Sequence, residues 1–381
     1  MTSVKAIIKP DLLIWARKSA GFKQIEDAAA KIKVSAGKLS DWEAGLDSPT
    51  IVQLRIIANV YKRPIAVFYL PAAPRGVDVL HDFRTIPGGK SGEFSPELTY
   101  EIRRAYHRRE KALDLYDELG EKPTPVSLRA MVGDDVDQLG SLIRDYLKVS
   151  KATQESWKNS YDALNAWKSA IESHEILIFQ ASRVSVSEMR GFSIAAQPVP
   201  VIVLNSADSP NARIFTLIHE LTHISLQSDG VCTLDSTKDR IEVFCNAVAG
   251  TTLLPQAWLS GASATWSDDE VRQTAKRFSL SNQVVLRRLL TLGKVSETQF
   301  NTLQSVYDKE AKEFAAQQHD KDIVVAQSTK ALASSGKLFA KLVLDSYHRN
   351  KVTSADVSDL LSVRVKYLKD IETKVYGEAV L

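Results

Sequence analysis

The chain has 381 residues, of which 44% are hydrophobic and 25% charged, the balance of an ordinary globular protein long enough for two or three domains. No apolar run approaches the length that spans a bilayer, and the start Met1-Thr-Ser-Val-Lys-Ala lacks the apolar core of a signal peptide, so a cytoplasmic protein without a membrane partner is expected. Cys232 and Cys245 are too few for a disulfide framework; Cys245 reads as a small buried residue, and Cys232 stays open as a metal ligand.

The net charge of +3 is unevenly spread: residues 1–75 hold twelve Lys or Arg against six Asp or Glu, leaving −3 for the rest. A basic N-terminal module on a mildly acidic body is the footprint of a nucleic-acid-binding attachment, although surface lysines also serve solubility. Five short helices are predicted there, one starting at Asp11 and the others over 24–33, 35–44, 50–61 and 63–69, with Leu13, Ala16, Ala29, Val34, Leu39, Trp42, Leu54 and Ile57 as core. This arrangement resembles the Cro and lambda-repressor helix-turn-helix, with Ser35 capping the recognition helix. The candidate DNA-contacting residues are Lys23, Gln24, Ser35, Ala36, Gly37, Lys38 and Ser40. With Lys38 as the one cation and no Asn, Gln or Arg on its outward face, the helix reads bases poorly, so protein docking or dimerisation stays open beside DNA binding.

Pro71-Ala-Ala-Pro and Thr85-Ile-Pro-Gly-Gly-Lys-Ser-Gly read as flexible connections; the glycines do not make a phosphate loop, because the Walker spacing is incomplete and no strand precedes them. Ser95 caps a long helix to about Glu118, whose Arg103, Arg104, Arg108, Arg109 and Lys111 read as a solvated basic face, with auxiliary nucleic-acid contact as the alternative. Helices over 126–147 and 153–174 follow, then three strand-like runs at 176–180, 191–195 and 201–205, the middle one taken as an open edge for an extended peptide. His81 and His174 read as surface or packing histidines.

The next helix carries Phe215-Thr-Leu-Ile-His-Glu-Leu-Thr-His, opened by Asp208-Ser-Pro-Asn and ended at Ser228-Asp-Gly, with Gly230 free to turn left-handed. Its core stripe is Ile214, Leu217, Ile218 and Leu221. His219 and His223, four apart, project from one face close enough to share a cation, and Glu220 lies beside that cation, where it can deprotonate a water. Such a pattern arises by accident in roughly one chain in a hundred of this length and histidine content. A third ligand must come from another element. Glu242, on a predicted helix over 236–254 with inward Ile241, Phe244, Cys245, Val248 and Thr252, is the candidate; Asp235 and Asp239 are rivals near the helix start, where capping also explains them. Asn246, one turn on, is a candidate to orient a ligand imidazole from behind.

The segments Met189-Arg-Gly-Phe-Ser, Val201-Ile-Val-Leu-Asn, Phe215 to His223, Glu242-x-x-Cys-Asn-x-Val-Ala and Leu253-Leu-Pro together resemble the ImmA/IrrE family of zinc metallo-endopeptidases. Trp42-Glu-x-Gly, Arg63-Pro-Ile-Ala-Val-Phe-Tyr-Leu-Pro, Asp82-Phe-Arg and Gly336-Lys-Leu-Phe extend the likeness to members fused to a helix-turn-helix. The resemblance implies zinc as cofactor and a protein substrate of the helix-turn-helix repressor or antitoxin-like class.

After Pro255 the chain reads as helical: 271–278, 281–290, a longer helix opened by Ser296, then 337–350, 353–361 and a closing helix to Tyr376. The expected fold is mainly α with a small α+β core. It comprises a five-helix helix-turn-helix domain (1–75), a linker (76–94), a minimal zincin-like metallopeptidase core with a small three-stranded sheet and helical surround (95–295), and a helical C-terminal structural or regulatory lid (296–381). The expected function is a zinc endopeptidase coupled to a DNA-binding module that regulates transcription, with a homodimer as an open expectation. The alternative is a DNA-binding regulator whose metal site is a sensor or structural; Glu220 argues against it, since a structural zinc needs no base beside it.

Overall fold

The computed structural model describes residues 4–74, 94–227, 230–232, 240–259, 266–319 and 325–377. Most of the expected linker, His81, Asp82, the glycine stretch at 85–92, Asp235 and Asp239 lie outside the described residues. The chain is mainly helical with a small α+β core, and it forms two compact units divided between Tyr106 and His107. No described helix is long and apolar enough to cross a membrane.

The first unit contains α1 (Pro10–Ser19), α2 (Ile25–Ile32), α3 (Ala36–Glu43), α4 (Ile51–Val60) and a 3-10 turn (Ile65–Tyr69). The fifth predicted helix is thus a 3-10 turn, tight because Pro64 fixes its entry. The predicted core residues are buried, with Val34 half-buried, around Trp42, Tyr61 and Phe68. Ser35 caps α3 by accepting from the Lys38 backbone N–H at 3.2 Å, and Thr50 with Gln53 forms a reciprocal capping box on α4.

The helix α5 (Pro96–Leu119) starts in the first unit and ends in the second. Its arginines do not form the expected solvated face. Arg108 is buried against Phe179 and Phe339 and donates to the Ser334 carbonyl at 2.8 Å; Arg109 donates to the carbonyls of Val199, Ala196 and Gln197. A guanidinium carries five donors on an apolar stem, so it satisfies loop carbonyls inside a fold where lysine would stay at the surface.

Two helices differ from prediction in the second unit. The expected 126–147 helix starts only at α6 (Val136–Leu147), capped by Asp135, because Pro123, Pro125 and Gly133 hold the preceding stretch out of helical geometry. The expected 153–174 helix is split into α7 (Lys151–Glu155) and α8 (Ser160–Glu172), since Asn159 breaks the run and caps the second piece.

The sheet contains the three predicted strands, β1 (Leu177–Ala181), β2 (Gly191–Ile194) and β3 (Val201–Asn205), and a fourth, β4 (Gly230–Cys232), in the order β1-β3-β2-β4. Strands β1 and β3 run parallel, with Leu177 opposite Val201; β2 is antiparallel to both β3 and β4. Strand β2 is therefore interior, which corrects its expected place at the edge: β4 pairs with Gly191, Phe192 and Ser193. Every residue of β1, β2 and β3 is buried, so both faces are covered.

At the end of β3, Asn205 turns the chain toward the next helix. Its side-chain amide donates to the Val184 and Met189 carbonyls at 3.0 and 2.8 Å, and its oxygen accepts from the Ala207 N–H. Helix α9 (Pro210–Ser225) follows, capped by Ser209 with Pro210 in its first turn, and packs on β2, β3, α8 and the later α10 (Arg240–Leu253). It ends with Gln227 in the left-handed conformation (φ 56°), while Gly230 lies in β4, so the expected glycine stop is corrected. The helices α11 (Asp268–Phe278), α12 (Asn282–Thr291) and α13 (Glu297–His319) continue the core.

The C-terminal helices α14 (Gln327–Ser335), α15 (Lys337–His348), α16 (Ser354–Leu361) and α17 (Leu368–Tyr376) include one, α14, that the sequence reading passed over. Helices α14 and α15 pack along β1 and α16 and α17 pack on them, with Glu172 accepting the Lys337 and Leu338 backbone N–H groups at 2.8 and 3.1 Å and so capping α15 with a buried carboxylate.

Candidate metal centre

Helix α9 is buried almost all round, so every side chain on it is held by packing, and the site residues inherit that rigidity. The four-residue spacing brings His219 Nε2 and His223 Nε2 to 3.1 Å. From the first turn of α10, Glu242 reaches both: Oε2 is 3.2 Å from His219 Nε2, and Oε1 is 3.2 Å from His223 Nε2. All three side chains are buried, and the described residues offer this one group of His, Cys, Asp or Glu ligand atoms, all within 4.8 Å of one another.

The fit to a metal can be tested on these distances. Tetrahedral ligands about 2.0 Å from a zinc stand roughly 3.3 Å apart; the two ring nitrogens are 3.1 Å apart, and each is 3.2 Å from a different oxygen of Glu242. Each Glu242 oxygen faces a different imidazole, so the carboxylate and the two ring nitrogens converge on one small space that a cation could fill. Two nitrogens and one carboxylate also form the donor set of a three-ligand zinc site with one position left for water. The rivals Asp235 and Asp239 lie outside the described residues, as does the side chain of Cys232.

Glu220 is fully buried but belongs to a different set of contacts. Its Oε2 accepts from Ser193 Oγ at 2.7 Å, whereas Oε1 is buried with no hydrogen-bond partner. Ser193 and Gly191 sit two residues apart on β2 and so face the same way, toward α9. At Gly191 even a Cβ would stand 2.5 Å from Thr216 Cγ2, 3.0 Å from the Val203 carbonyl oxygen and 3.4 Å from Glu220 Oε1. The strand backbone thus presses against the carboxylate. Neither residue was singled out from the sequence, though a Gly-x-Ser on a buried strand was the available signal.

The imidazole behind the site has an unforeseen partner. The Cys245 thiol, one turn beyond Glu242, hydrogen-bonds His223. Asn246, the expected orienter, is half-buried on α10, and among the described residues no hydrogen bond joins it to either imidazole. Helical geometry explains the correction: position 245 continues the buried stripe of α10, and position 246 is rotated off it.

The electrostatics follow from this packing. Burial pushes the Glu220 carboxyl up, against the pull of His223, His219 and the Ser193 hydroxyl. Burial would also raise Glu242, but hydrogen bonds from His219 and His223 outweigh it and hold that carboxyl at about 2. Burial would lower His223, yet hydrogen bonds with Cys245 and Glu242, with the Glu220 charge, raise it to about 11. The cluster is a trap for positive charge.

The candidate DNA residues lie elsewhere, in the first unit. Gly37, Lys38 and Ser40 are exposed on α3, Ala36 is half-buried, and Ser35 is occupied as the cap. Lys23 and Gln24 are exposed just before α2, with Gln24 at its N-cap position. The Lys38 ammonium lies 5.6 Å from the Trp42 ring centre.

Comparison with known proteins follows the same division. Residues 171–290 match the family described as IrrE N-terminal-like domain, of the M78 peptidases, and residues 13–68 match the helix-turn-helix family. No curated protein matches the chain. The first match spans β1 to α12, including all of α9 and the described part of α10, and the second spans α1 to the 3-10 turn; the chain thus joins a segment similar to the helix-turn-helix family to one similar to the IrrE N-terminal-like domain of the M78 peptidases.

Proposed function

We propose that the protein is a zinc-dependent endopeptidase coupled to a DNA-binding helix-turn-helix, and that it cleaves a repressor or antitoxin-like protein and so regulates transcription. One observation carries the peptidase half: a buried, convergent donor set of two histidines and one carboxylate, with a further carboxylate beside it that has a buried, unpartnered oxygen. His219, His223 and Glu242 hold the metal, and Cys245 backs His223. When bound, zinc supplies a Lewis acid that polarises the scissile carbonyl and makes a water acidic enough to ionise near neutral pH. Glu220 takes the proton of the attacking water through Oε1 and hands it to the leaving amine, while Ser193 holds Oε2. The core of α9 excludes bulk water from this exchange.

The DNA half is supported by the helix-turn-helix match and by the +6 charge of residues 1–75. Lys38 and the exposed start of α3 suit phosphate contact better than base reading, so binding is weakly specific and falls by about 0.9 log units per phosphate contact for each log unit of salt.

Profiling of new protein N-termini in cells, with and without Glu220→Gln, tests the peptidase. A cleaved helix-turn-helix repressor present only with the parent protein is expected; identical profiles sink proteolysis and leave the metal-sensing regulator. Gel shifts at low salt test the other half, and no binding to any promoter fragment assigns the module to protein docking.

A further inference from the structure

Among the described residues of the first unit, four carboxylates pair with cations other than two half-buried arginines. Glu43 pairs with Arg17 at 2.8 Å, Glu97 with Lys31 at 3.5 Å, Glu101 with Arg104 at 3.3 Å, and Asp47 with Lys5. Arg63 and Arg103 meet none of these. The Arg63 guanidinium lies 4.5 Å from the Trp15 ring centre and donates through Nη2 to Ser19 Oγ at 3.0 Å, yet its Nε is buried with no partner. Arg103 has both Nε and Nη1 buried without a partner. The two belong to one cluster. Lys62, next to Arg63, places its ammonium 5.9 Å from the ring centre of Tyr100, which precedes Arg103 by one turn of α5. Burial pushes Arg103 down to about 10, and the charge of Arg63 pushes the same way; at neutral pH it is still a cation.

Unpaired buried guanidinium donors beside a like charge are costly, and such an arrangement is retained where a partner arrives from outside. We propose that Arg63 and Arg103 form an oxyanion site that binds the terminal phosphate of a small phosphate monoester, or inorganic phosphate. Three observations select this class. The free N–H donors come from two planar forks, which suit a group with several acceptor oxygens. Two guanidinium groups, with Lys62 close by, balance a dianion rather than the single charge of a carboxylate or a nucleic-acid phosphodiester. The donor atoms are buried while both residues are half-buried, so a small terminal group fits better than the backbone of a duplex.

Titration calorimetry of the full chain with inorganic phosphate and with glucose 6-phosphate, at constant ionic strength set by chloride, tests this. Saturable binding and a rise in melting temperature are expected, with affinity about tenfold weaker or worse in Arg63→Gln and Arg103→Gln. In chloride alone Arg103→Gln should melt no lower than the parent, because it removes one of two like charges. Arg103→Lys keeps the charge and loses the fork, so it should fold and still bind weakly. A response no larger than that to chloride overturns the proposal, and so does an equal response in the variants. Loss of low-salt DNA binding in Arg103→Gln without any phosphate response reassigns the pair to a nucleic-acid contact and equally overturns it.

Discussion

Glu220 and Glu242 are buried carboxylates that feel the charge of the same two imidazoles, and their surroundings drive them in opposite directions. Glu242 accepts from both histidines and stays ionised at about 2, the behaviour of a ligand; Glu220, anchored by a neutral hydroxyl, is pushed up. Replacing Glu220 by Gln keeps shape and hydrogen bonding, so metal should survive dialysis while cleavage drops by something on the order of a hundredfold or more. Glu242→Ala removes a charged ligand and should lose the metal. Metal analysis of the two dialysed variants separates the roles, and loss of metal from Glu220→Gln reverses the assignment. The raised His223 predicts a pH dependence. Its folded pKa of about 11 exceeds the ordinary 6.5, so in chelated protein its contribution to stability is full below pH 6.5 and is lost as pH rises toward 11. Glu242, depressed from 4.5 to about 2, contributes above pH 4.5 and loses that as pH falls toward 2. Metal must displace the His223 proton, so its affinity should rise about tenfold per pH unit across neutrality; chelator competition at pH 6, 7 and 8 measures it, and a flat profile refutes the coupling. That His219 and His223 meet was legible because helical spacing is local; Glu242 comes from a second element and was read as one candidate among three. Ser193 and Cys245 were not legible, because their contacts depend on how β2 and α10 dock against α9.

The same distinction between local and docked information holds for elements. Helices opened by a cap residue, such as α3 and α9, appear with ends close to prediction; those inferred from apolar periodicity alone ran on into Pro123, Pro125 and Gly133 or across Asn159. The basic stripe of α5 was misread because composition does not reveal that Ser334 and the loop at 196–199 present carbonyls to Arg108 and Arg109. Edge and interior were also illegible for β2, since a three-residue partner carries almost no periodic signal. Helix α10, which carries Glu242, is fixed at its C-terminal end by such docking. Arg144 donates to the Thr252 carbonyl at 2.8 Å, Gln154 to that of Leu253 at 3.2 Å and Arg288 to that of Leu254 at 3.2 Å, satisfying its C-terminal end. Gly140 lets α6 approach so closely that a Cβ there would stand 2.7 Å from Thr251 Cγ2 and 3.1 Å from the Thr252 nitrogen. Helix propensity favours Gly140→Ala by about 1 kcal/mol, whereas overpacking costs about 1–3 kcal/mol. The second effect should win because one of the close atoms is backbone. A lowered melting temperature, with weaker metal retention as α10 shifts, is the expected outcome; an unchanged or raised one means α10 is not held by this contact.

At the scale of the whole molecule, metal and fold should be coupled in one unit and uncoupled in the other. The second unit carries the proposed ligands His219, His223 and Glu242, which bring α9 and α10 together inside its core, while the first has a separate core around Trp42, Tyr61 and Phe68. A ligand that binds only the folded state stabilises it by RT ln(1 + [L]/Kd), about 4 kcal/mol when free metal is a thousand times Kd. At roughly 2–4 °C per kcal/mol for a unit of this size, chelation should lower one melting transition by about 8–16 °C. The other should stay where it was. Assignment needs a marker in each unit: Leu13→Ala, which empties a fully buried position of the first core, should lower the chelator-insensitive transition, and Gly140→Ala the sensitive one. Scanning calorimetry of the full chain with zinc and with chelator decides the matter. A chelator shift in the transition that responds to Leu13→Ala, or a single transition that both variants move, contradicts two separately stabilised units; two transitions that chelation leaves untouched contradict the metal centre itself.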